Sequence, residues 1–387
     1  MKVVKLLIAL IIACLLGGGI YIFISSKNAE NTANTSETTD TNVKFANISD
    51  KAIEEEAYSI SLGFIGDICF ADNYVPMQHL QEIGSDKLGD GIDTRYIEMM
   101  RRMDLMWVNN EFVYSDRGEA IPGKAWTFKA PTANVKYLRE LGVDIAGLAN
   151  NHVFDYGADA FVDTMDTLNA AGIPYVGAGH DFKEASTPVY LEAHGIKIAY
   201  VAASCAEYTI YTLEAQENKP GIMWCYDDEK FLDEIRTAAQ NADFVVALPH
   251  WGTEHSTDLT NKQTSSAKAY IDAGADAVIG AHAHNLQGIE YYNSKPILYN
   301  LGNFWFDEYD LDTMLAEIKI SGARMPGQVI SIDPQNVEVI LHPGRQVNVY
   351  TYLSENPEEV NRIFKDLEKI SVNISIDESG RVFEIQR

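Results

Sequence analysis

The sequence predicts an α/β protein carried behind an N-terminal membrane-spanning helix. Three observations support this. A 19-residue uncharged run opens the chain. From Tyr58 short apolar strands alternate with amphipathic helices. After Gln287 consecutive strands replace the alternation and imply a second, mixed sheet. The 387 residues allow two or three domains, or one large α/β domain with additions. With 46% hydrophobic and 10% aromatic residues the chain can build a sizeable core, which excludes wholesale disorder.

The first element, Leu6 to Ile24, follows Lys2 and Lys5. At ~1.5 Å per residue it is long enough for a hydrocarbon core of ~30 Å. The preceding lysines hold the N-terminus inside and direct the rest of the chain outward. The rivals are a cleaved signal peptide, whose apolar region usually runs ~7–15 residues, and a lipoprotein box at Ile11-Ile12-Ala13-Cys14. Residues 1–26 are therefore expected to be a signal-anchor, and 27–57, polar and poor in large apolar residues, a flexible stalk. A core over 58–310 follows, with 311–387 expected to complete the second sheet. The net charge is −26, and residues 58–387 account for −24 of it. Such a surface argues against coating nucleic acid or lying on anionic lipid, and it is compatible with cation binding. Cys14, Cys69, Cys205 and Cys225 show no zinc-ribbon spacing. A Cys205–Cys225 pairing stays open.

Strands are expected at Ile60–Ile65, Leu105–Val108, Val143–Leu148, Ile196–Ala203, Phe244–Leu248 and Ala277–Ile279. Helices are expected near Thr94–Arg102, Ala133–Leu141, Ala158–Ala171, Asp228–Gln240 and Lys262–Ala273. Further strands follow at Ile289–Tyr292, Ile297–Leu301, Met314–Ile320, Gln328–Ile332 and Val337–Leu341, then a helix at Glu358–Ile370.

The chemistry collects at the strand ends. Gly66-Asp67 closes the first strand and Asn109-Asn110-Glu111 the second. Asn150-Asn151-His152 with Asp155 closes the third. His250 to Glu254 follows the Phe244 strand, and His282-Ala283-His284 the Ala277 strand. In open α/β sheets ligands bind at the carboxyl ends of strands, so these groups should converge on one cleft. Two carboxylates, an amide and four imidazoles form a mixed N/O donor set suited to one or two Zn, Mn or Fe ions. Each piece alone reads as a cap or loop residue, but four of nine histidines at one topological position do not. His255 reads as an outer group of the site. The tryptophans, Trp126 among them, read as packing, except that Trp251 lies inside the His250 motif.

The ordered motifs Gly66-Asp67, Asn109-x-Glu111, Ala149-Asn-Asn-His152-x-x-Asp155-Tyr-Gly157, His250-Trp-Gly-x-Glu254, Gly280-x-His282-x-His284-x-x-Gln287 and Tyr299-x-Leu301-Gly-Asn303-Phe-x-Phe306-Asp307 resemble the CapA family of capsule and poly-γ-glutamate synthesis proteins. Trp126-Thr-Phe128-Lys129-Ala-Pro131 looks like the family's segment ahead of its Asn-Asn-His motif. The resemblance runs from about Ser59 to Asp307. It implies a four-layer α/β/β/α sandwich of metallophosphatase type. It implies Asp67, Glu111, Asn151, His250, His282 and His284 as metal ligands, Glu111 bridging, and His152 with Asp155 as the catalytic acid pair. Lys129, Asn150, Glu254 and Asn303 are expected to bind substrate. Cys69 stands where many phosphoesterases carry a histidine ligand, and reads as a small buried residue.

Two functions follow. The first is an anchored extracellular enzyme, a metal-dependent hydrolase or transferase acting on an anionic polymer such as poly-γ-glutamate. The second is a non-catalytic metal- or polymer-binding scaffold of a capsule synthesis and export complex. Both place the chain at the cell membrane with other capsule subunits as partners, and neither involves nucleic acid. Within Lys87–Arg139 nine basic residues face seven acidic ones, which marks this segment as a candidate anion-facing wall against a solvated helix face.

Overall fold

The computed structural model describes residues 55–207, 211–324, 330 and 332–385. The apolar run 6–24 and nearly all of the polar stretch 27–57 lie outside the described residues. Among the described residues no helix is long and apolar enough to cross a membrane.

Strands buried on both faces read as unbroken apolar runs, and here the two faces go to different cores. In Ile196–Ser204, Ile198, Tyr200 and Ala202 point into the space between two sheets. Ala199, Val201 and Ala203 point to the opposite side, against helices Glu229–Ala239 and Asn261–Ala273. Phe244–His250 divides the same way. On the other sheet Leu105 and Trp107 join the central core. Met106 and Val108 face helices Val75–Glu82, Thr94–Met100, Val135–Leu141 and Gly157–Ala171. The result is helices, sheet, sheet, helices: the four layers the motifs implied. Helix Pro357–Ile370 is different, sending Ile363, Phe364 and Leu367 into the central core.

One sheet runs in the order Ile374–Ile376, Arg381–Glu384, Val337–Val347, Leu311–Arg324, Glu56–Ile68, Leu105–Asn110, Ile145–Gly147, Tyr175–Val176. The other runs Ile289–Tyr292, Lys295–Leu298, Ala277–Ile279, Phe244–His250, Ile196–Ser204, Val189–Ala193. This corrects the expectation that 311–387 completes the second sheet. Leu311–Arg324 pairs antiparallel with Glu56–Ile68 along ten positions and carries the remaining C-terminal strands onto the first sheet. Among the described residues after Gln287, Ile289–Tyr292 and Lys295–Leu298 are the strands that join the second. Alternating burial marks a strand as sheet-forming but carries no record of which sheet accepts it. The strand expected at 328–332 falls largely outside the described residues. The other expected strands and helices are present with shifted ends, and the Val75–Glu82 helix was not anticipated.

Candidate metal centre

The strand ends meet as the topology requires. Asp67 lies in register with Asn109 on one neighbouring strand and Asn303 on the other. Gly66 precedes it because the backbone of Gly302 closes in there: a Cβ at Gly66 would stand 1.8 Å from the Gly302 carbonyl oxygen. The Asp67 N–H donates to that same oxygen at 2.9 Å. On the second sheet His250 ends its strand, and its bridge to Ala281 places the next residue, His282, beside it. His282 and His284 adopt φ of 97° and 57°, a left-handed backbone that non-glycine residues visit rarely and that clusters at functional sites.

Two groups of three side chains bring ligand atoms within 4.8 Å of one another: Glu111, His250 and His282, and Asp67, Glu111 and His284. Glu111 belongs to both. All five residues are buried. The amide nitrogen of Asn109 donates to Asp67 Oδ1 at 2.7 Å and to Glu111 Oε2 at 3.0 Å. This fixes one oxygen of each carboxylate and leaves Asp67 Oδ2 and Glu111 Oε1 without hydrogen-bond partners. Asp67 Oδ2 does lie 3.1 Å from His284 Nδ1, but off the hydrogen-bonding axis; that nitrogen hydrogen-bonds Asn303 Oδ1 at 2.8 Å. His250 Nε2 stands 2.7 Å from Asn151 Oδ1 and 3.6 Å from Glu111 Oε1. His282 Nδ1 is also buried and unpartnered. Buried polar atoms without partners are costly, and a cation at their focus supplies what they lack. The donors present therefore fit one or two divalent ions.

Electrostatics points the same way. Burial, then the nearby Asp67 carboxylate, pushes Glu111 well above the ordinary carboxylate range. Burial and neighbouring imidazoles push His250 and His282 well below the usual histidine value, leaving them neutral donors. Burial opposes charging of His284, but Asp67 and Asn303 outweigh it and raise its value. A carboxylate driven toward its neutral form among neutral imidazoles is a set that a bound cation would reverse.

Beside this cluster His152 Nδ1 bonds Asp155 Oδ2 at 2.7 Å, and His152 Nε2 faces Glu111 Oε1 at 4.0 Å. Asp155 is held from two further sides. The Phe128 N–H donates to Oδ2 at 2.8 Å, and Lys124 Nζ pairs with Oδ1 at 2.8 Å. The Lys124 side chain is only 6% exposed and also donates to the Asn151 carbonyl. The sequence places Asn109 only within the Asn109-x-Glu111 motif and Lys124 only among the basic residues of Lys87–Arg139, with no individual role at the centre for either. The Asn109-x-Glu111 spacing was the available signal for Asn109. Lys124 lies on a loop away from every strand end, and its membership of the basic segment did not distinguish it from its neighbours.

The four expected substrate contacts separate. Glu254 is exposed on a mouth of about 170 Å³ that it shares with Trp126, Phe128, His152, His255, His284, Phe306 and Tyr309. Trp126, expected to pack, is 65% exposed there. Asn150 is buried, donating to the Asn110 carbonyl and accepting from the His152 N–H, which shapes the turn. Asn303 is buried and links His284 to Asp307. Lys129 turns away, its amino group on the Gly118 carbonyl at 3.0 Å and over the Tyr156 ring. Cys69 is buried and outside both ligand groups. In the basic segment Arg95, Arg102, Arg117, Lys124 and Lys136 pair with carboxylates, and Arg101 and Arg139 bond backbone carbonyls. The segment is therefore mostly a face whose cations are neutralised, largely by carboxylates from other parts of the fold such as Glu355, Asp163, Asp155 and Asp86, rather than an anion-facing wall.

The two stacked sheets, the outer helices and the shared carboxylate among histidines at the strand ends define a four-layer α/β protein with a candidate metal centre. Within that class the chain belongs to the bacterial capsule synthesis protein PGA_cap family, whose model matches residues 61–308. It is 31% identical over 252 residues to the PGA biosynthesis protein CapA of Bacillus subtilis (strain 168), covering 64% of each chain. It is 37% identical over 183 residues to the capsule biosynthesis protein CapA of Bacillus anthracis, covering 46% of this chain and 44% of that one. The chain thus spans less than two thirds of the length of these relatives. Among solved structures it aligns with a phosphatase of Mycoplasma pneumoniae at a TM-score of 0.45 and 12% identity, over 81% of this chain and 100% of that one. A Thermus thermophilus sulfate thiohydrolase gives a TM-score of 0.42 at 13% identity, over 80% and 60%.

Proposed function

We propose that this chain is a membrane-anchored, extracellular metal-dependent hydrolase or transferase acting in poly-γ-glutamate capsule synthesis or export. The observation that carries the catalytic reading is Glu111: buried, shared by two ligand groups, with one oxygen unpartnered. Asp67 and His284 would hold one ion, His250 and His282 the other, Glu111 both, with Asn151 beside His250. Divalent ions bound there would supply Lewis acidity and an activated water.

The chain's own residues do the rest. Asp155 holds the Nδ1 proton of His152 and keeps Nε2 aimed at the cluster, where it would donate a proton to a leaving group. Lys124 and the Phe128 N–H hold Asp155 against rotation. Phe128 and Phe306 pack beside His152 and His284 at the mouth. The relatives named for PGA and capsule biosynthesis support the polymer, and the uncharged run behind Lys2 and Lys5 supports the anchor.

One observation favours the scaffold alternative. Among the described mouth residues none is a lysine or arginine, while Glu254 and Glu308 are exposed there. A polyanion would then depend on the metal ions for attraction. The deciding experiment measures metal stoichiometry on the purified chain and hydrolysis of bis-p-nitrophenyl phosphate and of poly-γ-glutamate. Stoichiometric metal with hydrolysis supports the enzyme. Stoichiometric metal with neither reaction supports the scaffold.

A further inference from the structure

Cys205 and Cys225 are twenty residues apart and belong to neither ligand group. Each directly follows a member of the parallel bridge between Ser204 and Trp224. That bridge is closed by Ser204 N–H on the Met223 carbonyl at 2.9 Å and Cys225 N–H on the Ser204 carbonyl at 3.0 Å. Residues in register on adjacent strands lie about one strand spacing apart, roughly 4.8 Å, inside the ~4.4–6.8 Å between α-carbons that a disulfide spans. In this parallel register Cys205 and Cys225, each one residue past the bridge, project from the same side of neighbouring segments. Both are free thiols. Cys205 is half-buried and Cys225 fully buried, an arrangement in which the accessible thiol meets an oxidant and the buried one resolves it.

The surroundings give the pair a consequence. The Cys205 N–H donates to the carbonyl of His250 at 3.0 Å. The stretch between the cysteines contributes Glu207, 3.5 Å from Lys124, and Thr212, whose hydroxyl donates to the Asn151 carbonyl at 3.4 Å. The base of a wall of the metal centre is thus formed where the two cysteines lie side by side.

We propose that Cys205 and Cys225 are a redox-active pair that closes to a disulfide and staples the base of this wall. The oxidant is a small-molecule disulfide. The Cys205 sulfur, having lost its proton, attacks one sulfur of that disulfide, and the other leaves as a thiolate. The Cys225 sulfur, having lost its proton, then attacks Cys205 in the mixed disulfide and expels the second thiolate. The two cysteine protons end on the two released thiols. The cysteines are oxidised, the added disulfide is reduced, and no further reactant is needed.

Full-length chain, reduced and then treated with oxidised glutathione, is quenched in acid, alkylated under denaturing conditions, cleaved after glutamate and read by mass spectrometry. The expected result is a Cys205–Cys225 cross-linked peptide, with Cys69, buried and apart from both, still alkylated. Oxidation is also expected to raise the melting temperature by about 4 °C, the size expected for closing a loop of some twenty residues in a chain this long. Cys225→Ser should abolish the rise and leave glutathione on Cys205. Two outcomes overturn the proposal. One is both cysteines fully alkylated after oxidation. The other is glutathione retained on Cys205 of the unsubstituted chain with no cross-link. Neither readout uses hydrolytic activity, so the result stands whatever the metal centre does.

Discussion

The two sheets contribute opposite chemistry to one centre. The first sheet sends Asp67, Glu111 and the amides of Asn109 and Asn151, on backbone of ordinary conformation, together with the His152–Asp155 pair. The second sends His250, His282 and His284, two of them at positive φ. The carboxylate ledge is aligned by an amide, Asn109, that touches both acids. The imidazole ledge is aligned by backbone conformation at His282 and His284, with Asn303 on His284 and Asn151 on His250. Carboxyl groups are therefore concentrated on one side and imidazoles on the other, His250 and His282 among them held neutral. A cation between them draws its anionic partners from the first sheet and most of its nitrogen donors from the second.

The sharpest break in that comparison is Glu111→Gln. The amide keeps the shape but removes the only negative group common to both ligand sets. Metal content should fall by at least one ion, and any hydrolysis with it, because two divalent ions a few ångströms apart repel strongly without a shared anion. The fold should persist, since Leu105 and Trp107 anchor the strand in the central core. Elemental analysis and melting temperature on one preparation check this; unchanged metal would remove the bridging role.

The imidazole ledge is tested by His282→Ala and His284→Ala. Each should lower metal content while leaving the carboxylate ledge able to hold an ion weakly. His342→Ala should not, because His342 sits on a distant strand paired with Glu317 at 3.1 Å. Equal metal in all three variants would contradict the assignment.

Asp155→Asn separates proton transfer from metal binding. The substitution weakens the bond that orients His152 and leaves Lys124 with Glu207, at 3.5 Å, as its remaining carboxylate partner. Rate should drop by about 10²-fold or more with metal content unchanged. A parallel loss of metal would mean that Asp155 supports the ligands as well.

The smallest expected effect lies outside both ledges and calibrates the others. Asp93 caps helix Thr94–Met100, accepting from the Arg95 N–H at 2.9 Å. Asp93→Ala should cost about 1 kcal/mol and no metal. The side-chain bond to Arg95 holds the Asp93 carboxyl below its ordinary value. The unfolded chain therefore takes up this proton first as pH falls. The stabilisation is complete above about pH 4, the ordinary carboxylate value, and is lost as pH falls through the lowered folded value. Melting curves of both proteins should converge there.

Much of this molecule could be read along the chain. Alternating strands and helices gave the α/β class, and the strand-end positions of Asp67, Glu111, Asn151, His152, His250, His282 and His284 brought together the groups that the structure gathers. Local patterns succeed there because a βα unit places its own carboxyl end on the ligand side of the sheet whatever its neighbours are. They do not extend to partners distant in sequence. Lys129 looked like the cation of the site, but the fold turns it to the Gly118 carbonyl and brings in Lys124. Asn303 looked like a substrate contact, but pairing with Asp67 buries it behind His284.

What the sequence determined by itself was the periodicity, the donor types and their placement at strand ends. Each of these is set within a few residues. The tertiary structure alone decided which sheet received the strands after Leu311, that Asn109 aligns both acids, that distant carboxylates neutralise the basic segment, and that Cys205 comes beside Cys225. These outcomes depend on register between strands far apart in the chain. A one-residue slip in pairing exchanges the buried and exposed faces, and no local pattern records the register that packing selects.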